Sequence, residues 1–337
     1  MAVLRTGKVP PDLLRALIFP YLGRRADVLV HAGIGQDSAV LDFGEWAAVL
    51  TCDPITAARR HLGRLAVHVT CNDLVTTGAE PVGLLLTLLL REDTPDGELA
   101  AIMREAGETA LALGVEIIGG HTEVTPGIDR TIAMVAGIGR VRKADLITPR
   151  GARAGDAVLI TKGVAVEGTA ILADDLAGVL RGRVDGAVLD RARTLIDRIS
   201  VVPDGLIASR NGATAMHDIT EGGVLAGAWE LAEAAGAGIE IWADRIPVFP
   251  ETSAICAVLD VNPLALIGSG AMLVATRTPR RTVEALEGNG IPAAHIGMLT
   301  EAARSIHTPA GVRELVPPDR DELWRILELT QSTQRTQ

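Results

Sequence analysis

Three aspartates occupy places where an acid needs a reason to be. Asp37 follows a glycine-rich turn in Gly35-Gln36-Asp37-Ser38-Ala39-Val40, and Asp53 ends the apolar run Leu50-Thr51-Cys52-Asp53. Asp73 closes Cys71-Asn72-Asp73, where a helical pattern puts its apolar face. A carboxylate in apolar surroundings must be compensated. Mg²⁺ does this with few protein carboxylates, because it keeps its other positions for water and phosphate oxygens. Three acids from three separate elements are therefore suited to hold one or two such ions against a triphosphate. Any one of them is explained equally well as a helix or turn cap. Their conjunction is what points to a metal–phosphate site.

Two glycine-rich stretches extend the set. Gly119-Gly120-His121-Thr122 reads as a turn at the end of a buried strand, Val115 to Ile118. Paired glycines allow close backbone approach to a ligand, and the Thr122 hydroxyl can donate to a phosphate. His121 is either a metal ligand, a general acid/base or a solvated turn residue. Asp218-Ile219-Thr220-Glu221-Gly222-Gly223 precedes an Ala-rich helical pattern. Free N–H groups at such a start make an anion site, with simple capping as the equal alternative. Lys162, just after the apolar run Ala157 to Thr161, is a candidate counter-charge for phosphate. Neighbouring strand residues face opposite ways, so an Asp53 facing a site implies a buried Cys52. No phosphate loop GxxxxGK[ST], dinucleotide fingerprint GxGxxG, nucleophile elbow GxSxG or zinc motif HExxH accompanies these residues.

The elements that must carry them alternate. Short apolar runs at 28–30, 39–42 and 47–51, a helical pattern at 62–77, a nearly all-aliphatic strand at 82–90, a helix ending at Gly114 and strands at 115–118 and 131–139 compose an α/β domain. A turn-rich charged segment, Thr148 to Asp156, is the expected boundary, giving domains at 1–148 and 149–330 and a polar, disordered tail at 331–337. A chain of 337 residues suits two domains. Aromatics are only 2% and the net charge is −10, which argues against a nucleic-acid partner. Three widely spaced cysteines fit a reducing compartment, and no apolar run of about 18 residues is present to span a membrane. The N-terminus has no signal-like apolar core, so a cytoplasmic protein is expected.

Together the motifs resemble the aminoimidazole ribonucleotide (AIR) synthetase superfamily, over about residues 30–300. Gly35 to Val40 is similar to its G-D-D-A-A-V segment, Thr51-Cys52-Asp53 to its T-x-D, and Asn72 to Pro81 to its N-D-x₄-G-A-x-P helix end. Gly119 to Thr122 resembles its G-G-[DE]-T turn, Asp218 to Gly223 its D-x-T-x-G-G, and Gly268-Ser269-Gly270-Ala271-Met272-Leu273 its S-G-x-L strand. The resemblance implies a two-domain, PurM-like α/β (α+β) fold, homodimeric through an N-terminal β-barrel flanked by helices, with a C-terminal α/β sandwich. It implies ATP and Mg²⁺, with Asp37, Asp53 and Asp73 as metal ligands and Asp73, His121 and Asp218 in catalysis. Nucleotide contacts carry over to Gly35, Asp37, Ser38, Asn72, Gly119, Gly120, Thr122, Lys162, Thr220, Gly222 and Gly223. Family members phosphorylate an oxygen or a selenide, and the spacing here is nearest the hydrogenase-maturation (HypE-like) branch. That branch carries a C-terminal cysteine acceptor, whereas this chain reads Gln331 to Gln337 there. Selenophosphate synthetase has a cysteine or selenocysteine with a lysine near its N-terminus, and nothing before Cys52 fits. His121 stands where the family has an acid, and Glu123, two residues on, is the candidate substitute. The expected activity is phosphorylation of an amide, carbamoyl or similar oxygen of an unknown acceptor. The alternatives are a thiamine-monophosphate-type kinase and an ATP-binding protein without catalysis.

Overall fold

The computed structural model describes residues 4–56, 58 and 60–335 and is organised around two β-sheets. The first half runs α1 (Pro11–Leu17), β1 (Val28–Val30), β2 (Ala39–Phe43), β3 (Trp46–Ile55), α2 (Leu62–Val75), β4 (Glu80–Leu90), α3 (Asp96–Leu113), β5 (Glu116–Val124) and β6 (Ile132–Arg142). Its six strands lie in the order β1-β2-β3-β6-β4-β5, antiparallel except where α3 crosses over between parallel β4 and β5. The second half continues with β7 (Ala157–Thr161), α4 (Val166–Asp175), α5 (Ala177–Leu180), α6 (Gly186–Thr194), α7 (Val202–Arg210), β8 (Ala213–Asp218), α8 (Gly223–Ala235) and β9 (Gly238–Trp242). It ends with α9 (Pro250–Leu259), β10 (Met272–Thr276), α10 (Pro279–Glu287), β11 (Ala293–Thr300), β12 (Arg304–Thr308), β13 (Gly311–Glu314) and α11 (Glu322–Arg335). These seven strands are ordered β13-β12-β9-β11-β7-β10-β8. Central β7 and β10 are buried along their whole length, which explains their unbroken aliphatic sequences.

Helix α2 positions the site. Leu62, Leu65, Ala66 and Val69 form the apolar face that the 3.6-residue period predicts, but burial extends around almost the whole helix. A helix enclosed on all sides has no solvated face for its polar residues. Asn72 and Asp73, 0% and 5% exposed, must therefore find partners inside the protein.

The first sheet is two-sided in a different sense. Leu84, Leu86, Leu88, Ala133 and Val135 face α2 and α3 and are buried. On the other face Leu85 and Met134, with Val82 and Ile118 at bulges of β4 and β5, are exposed. This period-2 alternation leaves an open apolar face.

Four expectations are corrected. Strand β5 is an exposed edge rather than a buried strand, and Gly119 to Thr122 continue it instead of turning away from it. Their register on β4 runs Leu85–Gly119, Leu86–Gly120, Thr87–His121 and Leu88–Thr122. Gly120 is needed there for packing: at φ +146° its Cβ would lie 1.8 Å from the Leu86 carbonyl oxygen. Cys52 is exposed, not buried, because that strand face is the open one. Residues 331–335 extend α11, and 336 and 337 lie outside the described residues. The sequence reading had not anticipated α9, the β12–β13 hairpin or α11. Among the described residues no helix is long and apolar enough to cross a membrane.

Candidate functional site

A cleft of about 610 Å³ opens where β3 and α2 of the first half meet β8, α8 and the start of α4 of the second. The loop before β2 delivers Asp37, β3 delivers Thr51 and Asp53, and α2 delivers Asp73. From the other side, β8 ends on His217 and Asp218, Thr220 and Glu221 follow, and α8 contributes Glu230. Glu167 from the first turn of α4, Ser269 ahead of β10 and Trp324 of α11 complete that wall.

The acids are linked by short contacts. The Thr51 hydroxyl donates to Asp73 Oδ2 at 2.6 Å. Behind it, the Ser38 hydroxyl donates to the Asp73 carbonyl at 3.1 Å, so the residue is fixed from two directions. His217 Nδ1 lies 2.7 Å from Asp37 Oδ1 and its Nε2 lies 3.1 Å from Glu230 Oε2. Lys8 Nζ lies 3.6 Å from Glu230 Oε1 and donates to the Thr220 hydroxyl at 3.1 Å.

The electrostatics follow from burial and crowding. Burial first, then the neighbouring Asp218, Asp53 and Asp37 carboxylates, push the Asp73 carboxyl well above the usual range. Burial and Asp37 push Asp218 up to about 7. For His217, burial opposes the charged form, but Asp37 and Glu230 outweigh it and raise the imidazole to about 10. As an imidazolium it donates to Glu230 and forms a close ion pair with Asp37. Glu230 goes the other way: Lys8 and His217 overcome its burial and hold it at about 2. The Lys8 side chain is half exposed, yet carboxylates surround its ammonium and raise it to about 12 against the effect of burial.

The site is over-supplied with acid. Asp218 Oδ2 and Glu167 Oε2 are buried and have no hydrogen-bond partner among the described residues. Ligand atoms of Asp37, His217 and Asp218 lie within 4.8 Å of one another. With His217 engaged as a cation, the available donors are carboxylate oxygens, and these suit a hard ion such as Mg²⁺. The residues present therefore fit the metal that the acidic set implies.

Of the residues singled out from sequence, Gly35, Asp37, Asp53, Asp73, Asp218 and Thr220 line the cleft, and Ser38 braces Asp73 from behind. The others go elsewhere. Asn72 faces the second half, donating to the Ile199 carbonyl at 2.9 Å and accepting from the Val201 N–H at 2.8 Å. Lys162 is an interior ion pair, 3.2 Å from Asp204 Oδ1, and donates to the Ser200 carbonyl at 2.6 Å. At the start of α8 the protein itself takes two N–H groups of the expected anion site. Gly222 N–H donates to Asp321 Oδ2 at 2.5 Å, and Gly223 N–H donates to the Thr220 carbonyl at 3.1 Å. Gly119, Gly120, His121 and Thr122 stay on the exposed edge strand, where His121 Nε2 lies 3.0 Å from Glu123 Oε2. Lys8, Thr51, Glu167 and Glu230 are functional-site residues that sequence reasoning misses. Only Thr51, beside Cys52 and Asp53 in its motif, carried a local signal.

Comparison with known proteins gives a consistent picture. The N-terminal domain profile of AIR synthase related protein matches residues 35–141, and the C-terminal domain profile matches 153–308. A Methanocaldococcus jannaschii protein, provisionally named for hydrogenase expression and formation, is 31% identical over 335 residues, 95% of this chain and 97% of its own length. The carbamoyl dehydratase HypE of Cupriavidus necator is 30% identical over 251 residues, covering 72% of this chain and 69% of that protein. A crystal structure of the hydrogenase maturation protein HypE in complex with ATP superposes with a TM-score of 0.69 at 22% identity, covering 95% of this chain and 97% of that one.

Proposed function

The chain belongs to the AIR synthase related protein family, and from that premise we propose that it is a Mg·ATP-dependent enzyme that phosphorylates an amide, carbamoyl or similar oxygen of a small molecule or protein partner. The observation that carries this reading is the uncompensated acid of the cleft: more buried carboxyl groups than the chain's own cations balance, two with an oxygen lacking a partner. Asp37, Asp53, Asp73 and Asp218 would hold the metal. Thr51 and Ser38 fix Asp73, and the His217 imidazolium fixes Asp37. Bound Mg²⁺ supplies neutralisation of phosphate charge and a template for in-line transfer. What the chain itself contributes is position, since Asp73 sits on a buried helix, Asp53 and Asp218 sit on strands, and the loop residue Asp37 is held by its ion pair with His217.

The same reading makes the protein a homodimer. The open apolar face bearing Val82, Leu85, Ile118 and Met134 is 40–52% exposed at these positions, and a second copy is the natural cover for it. Strand β5 lies at that edge, so Gly119 to Thr122 would face the partner rather than their own cleft.

Thermal stability with and without Mg·ATP, alongside ADP formation with primary amides and carbamoyl compounds, tests the proposal. At about 100 times its dissociation constant the nucleotide should add about 2.7 kcal/mol to the wild type. Asp73→Asn should lose most of that gain. A folded wild type that shows neither stabilisation nor ADP formation would sink the reading.

A further inference from the structure

Among the described residues that line the cleft, Lys8 is the one lysine or arginine, facing seven carboxyl groups. It lies outside the segments matched to the family, which begin at residue 35. The N-terminal segment ahead of α1 brings it in as a strap laid across the second half of the molecule. Lys8 N–H donates to Glu221 Oε1 at 2.9 Å, which ties the backbone of the strap to the loop before α8. Gly7 makes this route passable. It adopts φ +118°, and a Cβ there would lie 2.6 Å from Glu221 Oε1 and 3.6 Å from the Trp324 ring. Only glycine combines that backbone angle with so little room. The result is a tethered backbone carrying a lightly held charge: the half-exposed Lys8 side chain rests on Thr220 and Glu230 with one good hydrogen bond and one longer ion pair.

We propose that Lys8 is a phosphate-binding residue of this cleft, its ammonium moving from Glu230 onto the polyphosphate of the bound nucleoside triphosphate. The inference rests on the Mg·ATP reading above. A lysine suits the task because it is a compact point charge on a flexible stem, able to follow a phosphate without demanding bidentate geometry. The cleft also needs it. Metal ions at the acids offset part of the phosphate charge, and the remaining carboxylates repel the rest. An ammonium at the mouth, already tethered by its backbone, reduces that repulsion without ordering a new segment. It also discriminates by phosphate number, because it acts on the polyphosphate and leaves the nucleoside untouched.

The test is calorimetric titration of the full chain with Mg·ATP and, separately, with AMP. It compares wild type, Lys8→Met, Lys8→Arg and Gly7→Ala, each first shown to melt at the wild-type temperature. Lys8→Met should weaken Mg·ATP at least tenfold and leave AMP within twofold. Lys8→Arg should recover most of the loss because it keeps the charge. Gly7→Ala, which displaces the strap, should reproduce the methionine variant. Binding of Mg·ATP by Lys8→Met within twofold of wild type overturns the inference, and so does an equal loss for Mg·ATP and AMP. A wild type that binds no Mg·ATP brings down the nucleotide reading and this inference together, whereas wild-type binding with an unaffected Lys8→Met brings down the inference alone.

Discussion

Asn72 and Asp73 are adjacent on one buried helix and lead into two polar regions built to opposite rules. Asn72 enters a charge-compensated region, where its amide is matched at both ends by the Ile199 carbonyl and Val201 N–H. Beside it, Lys162 and Asp204, with side chains 10% and 2% exposed, neutralise one another, and the Ser200 carbonyl takes a further ammonium proton. Asp73 enters the cleft, where acids crowd other acids and two buried oxygens have no partner among the described residues. Both regions are buried and charged, so burial alone separates nothing. Compensation does. Acids matched one for one by cations of their own chain are architecture, and a cluster of acids in excess of its cations is held for a ligand.

The largest test of this contrast is Asp204→Ala. It strands the Lys162 ammonium in the interior, and loss of one partner of a buried pair costs about 3–5 kcal/mol. Chemical denaturation should register that loss in the ligand-free protein. Asp73→Asn, the matched change in the cleft, should cost nothing there, because it removes a charge that burial and its neighbours already disfavour. Equal losses from the two variants would erase the distinction.

A smaller effect should appear in the pH dependence. Asp218 is raised from 3.8 to about 7, so the folded protein retains a proton that the unfolded chain releases. Its contribution to stability is therefore present at acid pH and declines as pH rises from about 4 to about 7. Asp73 acts in the same direction. The His217 contribution, with a shift from 6.5 to about 10, is complete below pH 6.5 and fades only as pH climbs towards about 10. Saturating Mg²⁺ favours the ionised carboxylates and should flatten the decline between pH 4 and 7 while leaving the alkaline limb. Denaturation midpoints across pH, with and without Mg²⁺, measure this. An acid limb that ignores Mg²⁺ would mean that the cleft acids do not bind the ion.

The same contrast shows what a sequence can reveal. The alternation of strands and helices, and the acids at Asp37, Asp53 and Asp73, were legible because periodicity and a misplaced charge are local signals. Compensation is not local. Nothing near Lys162 announces Asp204, which is 42 positions away, and nothing near Gly222 announces Asp321, 99 positions away. Free N–H groups at a helix start and a lysine after a strand both look like phosphate sites until a distant side chain fills them. Gly119 to Thr122 stay open to two readings for a related reason: a glycine demanded by Leu86 on the neighbouring strand reads the same as one demanded by a ligand. Lys8 and Glu230 escaped notice because neither breaks a local pattern.

The smallest expected effect comes from Thr51→Val, which probes how the cleft holds its acid rather than the acid itself. The hydroxyl has one proton, and the 2.6 Å contact to Asp73 takes it in preference to Asp53 Oδ2 at 3.5 Å. Valine keeps the packing, so the loss is close to one hydrogen bond to a carboxylate, about 1.5–3 kcal/mol if Asp73 is ionised in the Mg·ATP complex and about 0.5–1.5 kcal/mol if it is not. Donation to the charged form also favours ionisation, so the variant should bind Mg·ATP less well at pH 6 than at pH 8, relative to wild type. A uniform loss at both pH values would make Thr51 a packing residue. A loss as complete as that of Asp73→Asn would put the Thr51 oxygen itself in contact with the ligand, and β3 would then contribute a donor as well as an orienting group.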